Sequence, residues 1–454
     1  MIQTSTFHLK DIFESIDLRL SPRYFFIIRK IKDIESSSYL KIKSLGDITD
    51  YVISGSYISK YSSDGTPYLR VGNVKTCELN LNKDDLVYIN EKEIKIPDKI
   101  KTKEGDIIIG RTAVLGFASL VNNLSKDFII SQHLTRLHTQ KIPTGYLVAF
   151  LNSSLFKEQM DVASYGITRI ELTHQQLKET KIVLPDGKNL AIINELIMNA
   201  DKKHIEAVNK LNFAMEIFGE ALAINHQEID EEKTYKVDSG DLTDILTPKF
   251  YYPKYLNTLK KVKRKFKTLK LGEIADIKRG DEVGSENYRK YINKKDSDVP
   301  FIRTSDLINY EIDNYSDYYI DEDIYKELKQ DLKDGDIIYT KDGKIGLLAI
   351  LTSEDKCILA SGLVRIRIKK ELDPYYVFLA LSTSIGYYQA MQRVVIAATL
   401  PHLQQERLEE IEIPIIDSRT RDKISQLVKE AFELKTEKKK LMREALEKVE
   451  ELLK

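Results

Sequence analysis

The chain has 454 residues, with 70 Lys and Arg balancing 70 Asp and Glu, seven His, two Cys and no Trp. At roughly 150 residues per domain this length predicts two to three domains, and 42% apolar with 31% charged residues excludes wholesale disorder. Apolar runs such as Val394–Ala398 fall far short of the ~20 residues of a membrane span, and Met1–Phe7 lacks a secretory pattern. Cys77 and Cys357 are too far apart for a local disulfide framework or a Cys-based zinc module, so a reducing cytoplasm is the expected compartment. The zero net charge points to no polyanionic partner.

In chain order, Leu20-Ser21-Pro22-Arg23-Tyr24-Phe25 opens a first globule, expected over residues 1–186. Leu45-Gly46-Asp47-Ile48 and the strand Thr66-Pro67-Tyr68-Leu69-Arg70 follow. Gly105-Asp106-Ile107-Ile108 reads as a turn feeding a buried strand, Tyr146–Leu151 as a short helix, and Ile182–Pro185 as a closing strand. Residues 189–224 contain no Pro and a single Gly. Their apolar residues fall at Ile193, Ile197, Ala200, Ala207, Leu211, Ala214 and Phe218, with His204 in the same series. This is three–four helical spacing, and it predicts a spacer helix at 187–224 and a linker at 225–243.

The same signals then recur in the same order over residues 244–416. Leu246-Thr247-Pro248-Lys249-Phe250-Tyr251 opens this half, and Leu271-Gly272-Glu273-Ile274, Val299-Pro300-Phe301-Ile302-Arg303, Gly335-Asp336-Ile337-Ile338, Tyr375–Leu381 and Ile411–Pro414 follow. The offsets lie between 226 and 233 residues, as loop insertions would make them, and they mark an internal duplication. Residues 417–454 form a second long helix with apolar residues at Ile424, Leu427, Ala431, Leu434, Leu441 and Ala445, a seam broken by Lys438 and Lys448. Each helix would be about 55 Å long at ~1.5 Å per residue. A single apolar seam on such a rod needs a partner, so the two are expected to pair antiparallel. Strands mixed with short helices, without βαβ alternation, place both globules in the α+β class.

The motifs of catalysis are missing. All eleven Pro are isolated from one another and none adjoins a Cys, so neither the Asn/Asp-Pro-Pro-aromatic turn nor the Pro-Cys nucleophile of a DNA methyltransferase is present. Gly343-Lys344-Ile345-Gly346 is too short for a dinucleotide fingerprint and is not a P-loop. No His pair has metal-ligand spacing around a Glu, and no Gly-x-Ser-x-Gly marks a nucleophile elbow. Glu93-Ile94-Lys95 and Asp331-Leu332-Lys333 fit an acidic-x-Lys nuclease fragment, a triplet expected by accident in so charged a chain. Neither a catalytic residue nor a metal ligand is assigned.

The paired Leu-Gly-acidic-Ile segments, Pro-aromatic-apolar-Arg strands, Gly-Asp-Ile-Ile turns and closing apolar-x-apolar-Pro strands together resemble the specificity subunit of Type I restriction-modification enzymes, from about Asp17 onward. The resemblance implies two target-recognition domains separated by an antiparallel helical spacer, each domain reading one half of a split site in double-stranded DNA. It implies DNA adenine methyltransferase subunits docked on the spacer and, in the full complex, a translocating restriction subunit. S-adenosylmethionine and ATP would be bound by those partners, not by this chain. The two spacers match in pattern but hardly in residues. The competing reading is a helical scaffold whose globules bind protein, motivated by the neutral charge and an acidic, Tyr-rich stretch.

Base reading needs Arg, Lys, Asn or Gln projecting from a scaffold, and phosphate contacts need cations. Arg70 and Arg303 occupy matched strand ends, with Asn73 and Ser305 in the polar loops that follow. Arg111-Thr112 and Lys341 with Lys344 follow the two Gly-Asp-Ile-Ile strands, and Gln132 is the candidate adenine reader. Lys260, Lys261, Lys263 and Arg264 lie in a stretch, 254–270, without an acidic residue. Between Asp306 and Asp336 eleven acidic residues face three Lys. That stretch is expected to be an exposed insertion directed away from DNA.

Overall fold

The structure, a computed structural model, describes residues 22–37, 40–112, 115–164, 171–223, 234–243, 245–282, 299–369, 372–397 and 400–454. Leu20-Ser21 and positions 225–233 of the expected linker lie outside the described residues. The chain divides into two compact units, residues 1–202 with 438–454, and residues 203–437.

In the first unit a helix α1 (Pro22–Ser37) leads into β1 (Lys41–Ser44) and a single-turn α2 (Leu45–Ile48). Ser44 caps α2 by accepting the Asp47 N–H at 3.2 Å, while Leu45 and Ile48 are buried. The remaining strands are β2 (Tyr51–Ser54), β3 (Thr66–Leu69), β4 (Val87–Ile89), β5 (Ile107–Gly110), β6 (Ala118–Leu120), β7 (Ile129–Ile130), β8 (Leu134–His138) and β9 (Lys181–Leu184). They form a four-stranded sheet β2-β8-β5-β6, a three-stranded sheet β4-β3-β7 and a pair β1-β9. Strand β5 is buried on both faces, which explains its unbroken Ile107-Ile108-Ile109 run. Helices α3 (Thr144–Phe150) and α4 (Ser154–Ala163) pack Leu147, Phe150 and Phe156 into the same core. A short α5 (His174–Glu179), capped by Thr173, precedes β9.

The second unit repeats this plan after the long helix α6 (Gly187–Leu222), of which residues 203–222 belong to it. A basic helix α7 (Pro253–Lys265) leads into β10 (Lys267–Lys270), α8 (Leu271–Ile274), β11 (Ala275–Arg279) and β12 (Val299–Ile302). A hairpin of β13 (Leu307–Ile308) and β14 (Glu311–Ile312) is followed by β15 (Tyr319–Ile320), α9 (Glu322–Leu328), β16 (Ile337–Thr340), β17 (Leu348–Ile350), β18 (Ile358–Leu359) and β19 (Leu363–Ile368). Helices α10 (Pro374–Ser382) and α11 (Ser384–Arg393), the hairpin β20 (Val395–Ala397) and β21 (Leu400–His402), α12 (Gln405–Glu409), β22 (Glu412–Ile415) and α13 (Ser418–Leu452) complete the chain. The sheets β11-β19-β16-β17, β15-β12-β18 and β10-β22 reproduce those of the first unit strand for strand. Even the parallel pairing recurs, with Tyr68 beside Ile129 and Phe301 beside Ile358. The duplication expected from sequence is therefore a duplication of topology, and both domains are α+β.

The helices pair antiparallel inside each unit. In the second, Lys203 meets Glu437 and Lys210 meets Glu430, both at 2.6 Å, so position rises on one helix as it falls on the other. In the first, Ile193, Ile197 and Ala200 of α6 share a core with Met442, Ala445 and Val449 of α13. Each α6 seam position named above is buried. On α13 the buried stripe is turned by about one residue. Val428, Phe432, Lys435 and Met442 are buried, while Leu427, Leu434 and Leu441 are half-buried. One cause is Phe432, which packs edge-on against Phe378 with centroids 5.0 Å apart.

The acidic stretch is only in part the exposed insertion expected: Asp317, Asp321, Asp323, Glu327, Asp331 and Asp334 are exposed, but its two ends are not. Leu307, Ile308 and Ile312 enter the core, and Asp306, Glu311, Asp313 and Asp336 are themselves buried. Apolar residues draw the two ends of the segment inward, and the buried carboxylates there are taken up by partners such as the Arg303 N–H for Asp306, Lys435 for Glu311, the Tyr315 N–H for Asp313 and Arg367 for Asp336.

Candidate nucleic-acid interface

Matched loops gather at one end of each four-stranded sheet. In the first unit Gly55 donates to Leu134 O (3.1 Å), Ser131 to Leu69 O (3.0 Å), Arg111 to His133 O (2.8 Å) and Leu172 to Arg111 O (3.0 Å). In the second, Gly280 donates to Leu363 O (3.0 Å), Ala360 to Ile302 O (2.8 Å), Lys341 to Gly362 O (2.9 Å) and Leu403 to Lys341 O (2.8 Å). These are the same four backbone links. A Cβ on Gly55 would lie 2.0 Å from Ile130 O, and one on Gly280 would lie 2.4 Å from Ala360 O. Only glycine allows this approach of two backbones.

Behind the loops, the Gly-Asp-Ile-Ile carboxylates anchor the sheet. Asp106 accepts from the Tyr51 hydroxyl (2.5 Å), Arg136 Nη1 (2.9 Å) and the Lys103 N–H (2.8 Å). Burial and the Asp106 carboxylate both push the Tyr51 hydroxyl well above its usual range, so it remains a donor. Asp336 accepts the matching N–H of Lys333 at 2.8 Å and is gripped by Arg367.

The predicted side chains separate into two groups. Arg70 is exposed, with Nη2 3.2 Å from Asp85 O. Arg111 lies between Gln132 O (3.5 Å) and Glu171 (3.6 Å). Gln132 is half-buried, its Nε2 2.9 Å from His133 Nε2 and its Oε1 3.4 Å from the Tyr68 hydroxyl. Burial pushes that hydroxyl up to about 12, so at neutral pH it is a donor, and it also holds Ser56 O at 2.7 Å. The Arg303 guanidinium lies over the Tyr318 ring at 3.7 Å, a cation–π contact, and Ser305 and Lys344 are exposed.

Asn73, Thr112 and Lys341 are corrections. Asn73 is 2% exposed, accepting the Arg70 N–H (2.8 Å) and donating to Asn80 O (3.1 Å), so its amide closes the loop. Thr112 is buried beside Glu171. Lys341 is 3% exposed and donates to Asp342 at 2.9 Å. Polar groups drawn inward at a strand end need partners within the fold. Asn73 and Lys341 are committed to theirs, whereas the buried Thr112 hydroxyl has no hydrogen-bond partner among the described residues.

On α7, Val262 is buried while Lys260, Lys261, Arg264 and Lys265 are exposed, and Lys263 is taken by Glu412 at 2.5 Å. This helix packs on α11, with Tyr255 and Tyr388 centroids 5.1 Å apart. Tyr387 of α11 borders Gly346, so α11 lies between the Lys344 loop and the basic helix.

Several residues on this surface escaped the sequence reading. Tyr57 and Tyr61 are 71% and 49% exposed beside Ser56. Arg279 donates to Ser361 O at 3.2 Å, and His402 pairs with Asp342. The signal for Arg279 was the glycine after it, which matches Gly55. His402 carried none. His174 looks functional because it bonds Ser54, yet Gln405 at the matching helix start donates to Ile277 O at 3.2 Å. Both tie a helix start to the neighbouring strand and are structural.

Two copies of one loop-bearing α+β module, each followed by a long helix, define a tandem recognition protein. A family model described as the Type I restriction modification DNA specificity domain matches twice, over residues 38–212 and 263–447. The chain belongs to this DNA specificity family. It is similar to the Type-I restriction-modification system S subunit from M. genitalium, with 15% identity, a TM-score of 0.34, and coverage of 91% of this chain and 95% of that one. It is also similar to the HsdS subunit from Thermoanaerobacter tengcongensis, with 14% identity, a TM-score of 0.30, and coverage of 91% and 96%. A comparison with curated proteins found no match. Among the described residues no helix is long and apolar enough to cross a membrane.

Proposed function

We propose that this chain is the non-catalytic specificity subunit of a Type I restriction-modification complex, with each domain reading one half of a split duplex site. The carrying observation is the matched gathering of loops at the same sheet end in both repeats, with Arg70, Arg111 and Gln132 in one and Arg303, Ser305 and Lys344 in the other. Rigid strand ends suit base readout, because a side chain must be held to be discriminating. The exposed cations of α7 suit phosphate contacts, which supply affinity without sequence information. The two helices are the surface on which DNA adenine methyltransferase subunits dock. S-adenosylmethionine and ATP chemistry belongs to those subunits and to a translocating restriction subunit, in keeping with the absence of their motifs from this sequence.

The test is selection from random duplexes by the chain assembled with its methyltransferase partner. A two-part motif with a fixed gap is the expected outcome, with binding that weakens as salt is added. Sequence-indifferent binding would overturn the reading in favour of a protein-binding scaffold.

A further inference from the structure

We infer that Tyr57 and Glu282 are specificity-determining residues, Tyr57 contacting the methyl group of a thymine and Glu282 the amino group of a cytosine. Each stands two places after a matched glycine, Gly55 or Gly280. The inference deepens the proposed function and rests on it.

The two residues occupy one place in the repeated fold. Ser56 donates its N–H to Ile130 O at 3.2 Å, and Asp281 donates to Leu359 O at 2.9 Å. Each also forms a parallel bridge, Ser56 with Ser131 and Asp281 with Ala360. The turn across that bridge is repeated as well, because Leu134 donates to Ser131 O and Leu363 to Ala360 O, both at 2.9 Å. Gln132 and Ser361 therefore sit at the same corner, and Tyr57 and Glu282 follow the same bridged residue. In the second unit these two positions touch, Glu282 Oε2 accepting from the Ser361 hydroxyl. In the first, Tyr57 stands near Tyr68, whose hydroxyl approaches Gln132 Oε1 at 3.4 Å; after burial and Tyr61, it adds to the rise of that hydroxyl.

Both side chains are exposed on backbone that is held. Tyr57 is 71% exposed between buried Ile58 and half-buried Ser56, whose carbonyl accepts the Tyr68 hydroxyl at 2.7 Å. Among the described residues its hydroxyl has no hydrogen-bond partner and its ring no stacking partner. A fixed aromatic ring offers apolar area at little entropic cost, and the thymine methyl is the apolar group that the major groove presents. The Glu282 side chain is 61% exposed and is held through one oxygen only. Arg279 Nη2 lies 3.5 Å from the same Oε2 that takes the Ser361 hydroxyl, and Arg279 Nε donates to Ser361 O at 3.2 Å. Among the described residues Oε1 accepts nothing. A carboxylate repels phosphate, so its use beside DNA is to accept from a base, and cytosine N4 is the base donor that carboxylates pair with.

The experiment is selection from random duplexes by the full chain assembled with its methyltransferase partner, followed by binding to the selected site with single bases modified. Wild type is compared with Tyr57→Phe, Tyr57→Ala, Tyr57→Glu and Glu282→Tyr. Both positions are exposed, so each variant should melt with wild type. Tyr57→Phe should select the wild-type site. Tyr57→Glu should change one position of one half-site from thymine to cytosine, and Glu282→Tyr one position of the other from cytosine to thymine. For wild type, replacing that thymine by uracil removes only the methyl group and should weaken binding about fourfold, the worth of one buried methylene. Methylating N4 of that cytosine should weaken it about tenfold. Tyr57→Ala should bind the thymine and uracil duplexes equally. A split site in which either exchange leaves every base unchanged overturns the inference, as does an equal uracil penalty in wild type and Tyr57→Ala. A wild-type complex that selects no split motif overturns the proposed function itself.

Discussion

Arg367 grips Asp336 with two parallel hydrogen bonds, Nε and Nη2 each lying 2.7 Å from a carboxylate oxygen. Its Nη1 reaches Asp331 at 2.7 Å as well, and the Asp336 contact, together with that of Asp331, raises the guanidinium further above its already high range. In the first unit the matching acid, Asp106, takes its guanidinium from Arg136, two positions earlier on the strand, and His138 occupies the place of Arg367. The anchor is kept while its chemistry is exchanged.

Asp336→Asn should therefore destabilise the second unit by about 2 kcal/mol, less than the ~3–5 of a fully buried pair because Arg367 is partly exposed. Urea unfolding followed by circular dichroism measures this. A loss below about 0.5 kcal/mol would show that the grip is ornamental.

Gly280→Ala should cost about 1–3 kcal/mol, because its Cβ would overlap the Ala360 and Leu359 carbonyls and the strand ends must part. In the assembled complex the damage should fall on the second half-site. Equal weakening of both half-sites in a binding selection would contradict the modular reading.

His174 yields a dependence on pH. Burial, then the charges of Arg111 and Lys178, hold its pKa below the ordinary 6.5, so the folded protein favours the neutral ring. The associated stability is complete above pH 6.5 and is lost as pH falls through the depressed folded value. His174→Gln, which installs the residue found at the matching position 405, should shrink the drop in melting temperature between pH 7.5 and 5.5. An unchanged drop would exclude His174 as its source.

Replacing Lys260, Lys261, Arg264 and Lys265 with Gln should lower the salt slope of DNA binding by roughly 1 for each phosphate left without its cation, with the preferred site intact. Gln132→Ala should do the reverse, relaxing one base position by about 1–3 kcal/mol with the slope unchanged. Quantitative binding at several salt concentrations separates the two.

Much of the fold was legible because it is periodic and repeated. The seam of α6 obeys three–four spacing at each position, and the Gly-Asp-Ile-Ile turns mark equivalent strands. The α13 stripe was misjudged because Lys435 is buried with partners far away in sequence, among them Glu311, 124 positions away, and the Asn309 carbonyl, 126 away, and no local pattern announces partners so distant. The candidate site was legible to the level of loops. Arg70, Arg111, Gln132, Arg303, Ser305 and Lys344 do lie together by repeat, whereas Asn73, Thr112 and Lys341 turn inward. Residue type reports what a side chain can bond, not the direction in which a strand end points it.

The exchanged anchors also bear on how a newborn chain avoids confusing its two halves. Tandem modules with the same strand order are prone to swapping strands during synthesis. If β2 took the place of β11 beside β19, Tyr51, Val52 and Ile53 would face that strand, and buried Arg365 would lose Asp276. An orphaned guanidinium in a core is a heavy penalty. Divergence between the halves would thus penalise hybrids that backbone pairing alone would accept.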